Sequence, residues 1–231
     1  MAKRVSYWSW NYDGSNRHGR TSVTAVDEDW SRYKGCGLWI GRRRSATKSW
    51  PDPAPTFKVL NNFKTIEDLL WPLEDYYLVS PRLREFLEKE APGAAEYLPV
   101  RIEGPGSDRL PPYWAMNFLR VFNCLDEDES INTDETGRRF VEVPVIDPLR
   151  VPPDGVLGLL GGFQVMRLMR HDLKRKYEEQ KFLGGFFSKV ASVDRPESVN
   201  FVMPDNSGLG RRKKQKRSPK VHLPQKKPKK S

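Results

Sequence analysis

Cysteine is almost missing from this chain: Cys36 and Cys124 are the two it has in 231 residues. Two are too few for a disulfide framework, and neither has a partner at metal-ligand spacing. Histidine is nearly as scarce. His18 lies in a polar stretch, His222 in a basic run, and His171 opens a helical segment. A nucleophile–His–acid set therefore rests on His171 alone, with no G-x-S-x-G or papain-like Cys context beside it. Long apolar runs are absent too. The longest candidate, Val156 to Met169, is interrupted by Gly158, Gly161, Gly162, Gln164 and Arg167, well short of the roughly 18 residues of a membrane span. The N-terminal Met-Ala-Lys-Arg passes directly into Ser, Trp and Tyr without an apolar h-region, so no secretory signal is expected. Gly158-Leu-Leu-Gly161-Gly162 lacks both the Lys-Ser/Thr of a P-loop and the spacing of a dinucleotide turn. These absences point to a reduced, cytoplasmic protein that is not an enzyme, carries no cofactor or metal, and has no membrane partner.

Acidic residues are missing from one place in particular. Residues 211–231 hold 11 of the 40 Lys and Arg and no Asp or Glu. Without them the chain has 29 basic residues against 30 acidic ones, a net of −1 in place of +10. The basic character thus belongs to a tail, and the body is not a basic nucleic-acid-binding domain. The tail has no aromatic residue to stack a base. It is expected to be a disordered accessory segment, with the composition of a nuclear localisation signal and at most non-specific affinity for nucleic acid.

What is present reads as a mixture of strands and a few helices. Tyr7-Trp8-Ser9-Trp10 alternates like a strand, Gly37 to Gly41 suggests another, and Asn11 to Arg20 between them reads as a loop. Residues 1–50 contain Trp8, Trp10, Trp30, Trp39 and Trp50 and ten Lys/Arg against four acidic residues. Such interleaving suits single-stranded nucleic-acid stacking, but Trp rings filling a core is the preferred reading. The Pro-rich Pro51-Asp-Pro-Ala-Pro55 is an extended connector. Thr65 is expected to cap a short helix running to Trp71. Ser80-Pro81 is a stronger start signal, a capping hydroxyl followed by Pro at the first helical position. Leu83, Phe86 and Leu87 then share a face, Glu85 and Lys89 make a surface pair, and Ala91-Pro92-Gly93 stops the helix. Tyr97 to Ile102 reads as a strand leading to a Gly104-Pro105-Gly106 turn. Tyr113 to Leu125 is apolar at both parities, either a doubly covered strand or a buried helix. Phe140 to Ile146 is strand-like, with Pro144 at an edge or bulge. One or two strands surround Gly161-Gly162, and His171 to Gln180 is helical with Leu173 and Tyr177 inward and its charges outward. Lys181 to Val193 returns as a strand with a turn or bulge at Gly184-Gly185.

One cluster is dense in charge: Asp126, Glu127, Asp128, Glu129, Asp134 and Glu135 fall within ten residues. An EF-hand loop counted from Asp126 would need Gly at its sixth position and Glu at its twelfth, where the chain has Ile131 and Gly137. A solvated acidic loop is the simplest reading. The alternative is an acidic surface that imitates a phosphate backbone and plugs a basic cleft.

Taken in order, a series of segments resembles one family. They are Gly37-Leu-Trp-Ile40, Trp50-Pro-Asp-Pro-Ala-Pro-Thr-Phe57, Asp75-Tyr-Tyr-Leu-Val-Ser-Pro-Arg-Leu83, Tyr97-Leu-Pro-Val-Arg101 and Pro112-Tyr-Trp-Ala-Met-Asn117. Leu125-Asp126 with Ser130, Val145-Ile-Asp147 and Gly184-Gly-Phe-Phe-Ser-Lys-Val190 complete the series. Together they resemble immunity protein family 43 of bacterial polymorphic toxin systems, across roughly residues 37 to 193. The resemblance implies a non-catalytic inhibitor that binds a cognate toxin. Its positions here are Tyr113, Trp114, Asn117, Asp126, Ser130 and Asp147. They either touch the toxin or fix the fold through side-chain-to-backbone hydrogen bonds, and the second is preferred.

The expected architecture is α+β, a single domain with a mixed or antiparallel sheet and a few helices. Residues 1–50 are expected to supply aromatic-rich strands packing on the main body, 51–204 the immunity-like domain, and 205–231 the disordered polybasic tail. Candidate partner-binding residues are Asp126, Glu127, Asp128, Glu129, Asp134, Glu135, Tyr113, Trp114 and Asn117. The competing function is a nucleic-acid-associated protein using the Trp/Arg-rich N-terminal segment and the tail.

Overall fold

Strand formation starts with the alternating Tyr7-Trp8-Ser9-Trp10, which sends its side chains to opposite faces. The computed structural model describes residues 5–12, 23–25, 50, 52–71, 77–133, 139–141, 143–161 and 166–193. The expected features at Gly37 to Gly41, at Asp134 and Glu135, and in residues 205–231 lie outside them. In chain order the described strands begin β1 (Tyr7–Tyr12), β2 (Val23–Ala25), β3 (Thr56–Val59), β4 (Leu69–Leu70) and β5 (Tyr77–Val79). Helix α1 (Pro81–Glu90) leads to β6 (Ala95–Pro99), β7 (Arg101–Glu103), β8 (Trp114–Phe118) and β9 (Val121–Phe122). A short α2 (Glu127–Ser130) precedes β10 (Ile131–Thr133), β11 (Arg139–Val141), β12 (Val145–Ile146), β13 (Leu157–Leu160) and β14 (Arg167–Arg170). Helix α3 (His171–Glu179), β15 (Gly185–Lys189) and β16 (Ala191–Ser192) close the series.

The strands form a five-stranded sheet in the order β15-β1-β14-β13-β9 and a four-stranded sheet in the order β4-β5-β8-β6. A three-stranded sheet β2-β3-β7 and the pairs β10-β11 and β12-β16 accompany them. Parallel and antiparallel pairings are mixed: β9 and β13 run parallel, as do β3 and β7, while β1 is antiparallel to both neighbours. The protein is therefore a single α+β domain of mixed sheets with three described helices.

Apolar residues at both parities have a direct cause: the two larger sheets are covered on both faces. In the five-stranded sheet Trp10, Leu157, Leu159 and Met169 enter a central core, while Tyr7, Leu160 and Leu168 enter an outer one with Phe122 and Ile146. In the four-stranded sheet Leu69, Tyr77, Val79 and Met116 face the same central core, and Leu70, Leu78 and Ala115 face a third cluster around Phe57. Leu83 and Leu87 of α1 and Leu173 and Tyr177 of α3 complete the central core. Trp10 is fully buried there, its ring edge-on to Tyr77 at 5.5 Å and to Tyr177 at 5.6 Å. These are favourable aromatic geometries, and they seat the N-terminal strand at the centre of the molecule.

Local signals explain α1. Ser80 Oγ accepts from the Leu83 N–H at 3.2 Å and Pro81 occupies the first turn. The i,i+4 ion pair that forms on its surface is Arg84–Glu88 at 2.9 Å, one register away from the expected Glu85–Lys89. The helix expected from Thr65 to Trp71 is not there. Leu69 and Leu70 are β4 instead, because they are buried in opposite directions and a helix would turn both toward one stripe. The outward placement of charge on α3 also fails at one position: Lys174 is buried.

Candidate functional site

The described residues 126–131 and 143–147 form an acidic corner. Asp126 stands at the N-cap of α2, where its carboxylate accepts from the Glu129 N–H at 3.1 Å and its own N–H donates to the Val145 carbonyl at 2.9 Å. Ser130 is buried. Its Oγ accepts from the Val145 N–H at 2.8 Å and donates to the Val145 carbonyl at 3.1 Å. Asp147 caps the next turn by accepting from the Leu149 N–H at 3.0 Å and pairs with Arg150 at 3.3 Å. These three residues thus serve the backbone, as short polar side chains at turns and caps do. Between them, Glu127, Asp128 and Glu129 are exposed in the first turn of α2, where negative charge is favoured near a helix start.

The other candidates sit on or beside β8. Tyr113 is buried, and its hydroxyl donates to the Glu67 carbonyl, 46 residues away in sequence. Burial, reinforced by the Asp68 and Glu67 carboxylates, pushes its phenol pKa up. Asn117 is buried and donates from Nδ2 to Glu96 Oε1 at 2.7 Å across the β6–β8 pairing. Trp114 is half-buried, with the Arg84 guanidinium 4.7 Å above its ring. Tyr113, Asn117 and Trp114 therefore belong to the four-stranded sheet and its neighbouring cores, while the acidic corner borders the outer core of the five-stranded sheet. Of the described candidates, Glu127, Asp128 and Glu129 are the ones that present charge outward. Among the described residues no group of three or more His, Cys, Asp or Glu side chains converges as a metal site, and no helix is long and apolar enough to cross a membrane.

A second surface was not visible in the sequence. Beside β1, α3 and β15 lies an open cleft of about 490 Å³ whose walls include Trp8, Lys174, Glu178, Lys181, Phe186 and Phe187. The buried Lys174 ammonium sits 4.3 Å from the Trp8 ring centroid and 5.3 Å from that of Phe187, and donates to both Glu178 carboxylate oxygens at 2.7 Å. Ring faces and a carboxylate together hold a cation that burial alone would expel. The helical period places Lys174 next to Leu173, but only the tertiary position of Trp8, 166 residues earlier, turns it inward.

Residues 11–154 match the model of an immunity protein family, Imm11. The chain belongs to that family. The matched span covers more than half of the sequence and takes in β8, the acidic corner and α1. No curated protein matches the chain. An immunity protein has a toxin as its partner. The match carries a number different from the 43 of the sequence resemblance; the class, immunity protein, is common to both.

Proposed function

We propose that this protein binds and neutralises one cognate toxin of a bacterial polymorphic toxin system, in the cytoplasm of the producing cell, at one-to-one stoichiometry and without catalysis. The immunity-family match over residues 11–154 carries the reading. The direct test is co-purification with the toxin domain encoded beside its gene: a one-to-one complex is expected, and failure to form any complex overturns the reading.

Within this reading, the α2 carboxylates contribute to recognition of a toxin with a basic cleft, as nucleases have. Fixed surface charge accelerates encounter with an oppositely charged partner by about 10-fold or more at low salt, and the gain fades as ions screen it. Asp126 caps its helix, so the informative variant is Glu127→Gln with Asp128→Asn and Glu129→Gln. Stopped-flow association should slow about 3- to 10-fold at low ionic strength, converging with the parent at high salt. Equal rates for parent and variant at every salt concentration would mark the corner as solvated surface.

A further inference from the structure

Strand β15 ends the five-stranded sheet, pairing on one side with β1. The Val190 N–H donates to the Tyr7 carbonyl at 3.4 Å, which fixes the phase of the antiparallel ladder. Inward backbone groups then belong to Phe186, Ser188 and Val190, and outward ones to Gly185, Phe187 and Lys189. Those outward N–H and C=O groups have no partner among the described residues. Edge strands are usually guarded by charges, prolines or bulges. Here the sequence is Gly-Phe-Phe-Ser-Lys, with both Phe side chains half-buried and one charge in five residues.

The cleft of about 490 Å³ runs along this edge. Trp8 and Phe187 share its sheet face, as the Lys174 ammonium above both rings shows. Lys174 is neutralised by Glu178. Lys181, which opens the turn after α3 in the left-handed region at φ 54°, and Lys189 have no ion pair among the described residues. The edge therefore combines ring faces with the paired Lys174 and Glu178, and carries Lys181 before β15 and Lys189 at its end.

We infer that β15 is a docking edge at which an extended segment of the cognate toxin adds as a sixth strand, placing an acidic side chain over the Trp8–Phe187 cleft beside Lys181. This rests on the immunity reading and names the surface that serves it. Main-chain hydrogen bonds supply affinity in such strand addition, and the side-chain pocket supplies selectivity. The acidic corner adjoins the same rim. Ala191, two residues beyond Lys189, pairs with Val145, whose N–H and C=O are both held by Ser130 at the end of α2.

The test uses the full chain and the toxin domain encoded beside its gene. Hydrogen exchange on the parent should show the Gly185, Phe187 and Lys189 amides exchanging freely alone and slowing at least 10-fold in the complex. Lys189→Pro removes an outward donor and spares the β1 ladder, a position where an edge strand accepts Pro. It should weaken toxin binding at least 10-fold, and Lys181→Glu should weaken it at least 3-fold, while β1 amides keep their protection. A stable complex of parent and toxin with unchanged exchange at all three amides overturns the β15 inference and leaves the immunity reading standing. Protection already present in the free protein also overturns it: concentration-dependent protection assigns the edge to a second copy, and concentration-independent protection to the remainder of this chain. No complex with the parent removes the immunity reading and the inference with it.

Discussion

Gly184→Ala should destabilise the protein by about 2–5 kcal/mol, the sum of a strained backbone and a steric overlap. Gly184 has φ +99°, a region that L side chains rarely adopt, and an added Cβ would stand 2.1 Å from the Leu69 carbonyl oxygen. The obstacle is backbone and has no rotamer by which to move aside. Leu69 is itself pinned, because its N–H and that of Asp68 both donate to the Leu183 carbonyl, at 3.1 and 3.0 Å. The chain before β15 must therefore pass within contact of β4, and only Gly leaves room. At roughly 2–4 °C per kcal/mol for a domain of this size, the thermal midpoint should fall by roughly 4–20 °C. Gly93→Ala is the matched control. Its φ is +69° with nothing within 4 Å of the added carbon, so it isolates backbone strain and should cost about 1 kcal/mol. Equal losses for the two variants in urea unfolding would show that the contact with Leu69 contributes nothing.

Asp68→Ala should cost about 2–4 kcal/mol, since it leaves several donors without an acceptor. The Asp68 carboxylate accepts from Ser80 Oγ at 2.8 Å, from the Leu183 N–H at 3.0 Å, and from Arg82 Nε and Nη2 at 3.2 and 2.6 Å. Its backbone carbonyl takes the Ser80 N–H at 2.8 Å. One side chain thus ties the cap of α1, the edge of β4 and the approach to β15 together. Most of the loss should come from Ser80 and Leu183, because Arg82 is more than half exposed and exposed ion pairs contribute at most about 1 kcal/mol. Arg82→Ala should accordingly be mild. If Arg82→Ala and Asp68→Ala shift the urea midpoint equally, the ion pair rather than the buried donors holds this seam.

The junction of Asp68 and Leu69 with Leu183 and Gly184 was not legible in the sequence. The Gly184-Gly185 pair was legible as a turn or bulge, yet its neighbour Leu69 lies 115 residues earlier and was expected on a helix. The Thr65 cap signal favoured that helix; burial of Leu69 and Leu70 toward two different cores overrode it. By contrast, α1 was readable to its first residue, because Ser80, Pro81 and the Leu83/Leu87 spacing act locally. One or two strands were expected on either side of Gly161, and the chain forms two, β13 and β14, paired antiparallel. Site residues divide the same way. Asp126 and Ser130 were named through the family resemblance, and their hydrogen bonds to Glu129 and Val145 are turn chemistry that suits short polar residues. Lys174 was unreadable, because the rings and carboxylate that hold its ammonium come from β1, β15 and α3 together.

Stoichiometric neutralisation is tested by titrating growth rescue. The neighbouring toxin domain is induced at a fixed level, the immunity protein at graded levels, and both are quantified in the same cells. Growth should recover as the ratio approaches one to one and remain suppressed well below it. Full recovery at a strongly sub-stoichiometric ratio would contradict the account, because a protein that acts by occupying its partner cannot be used more than once.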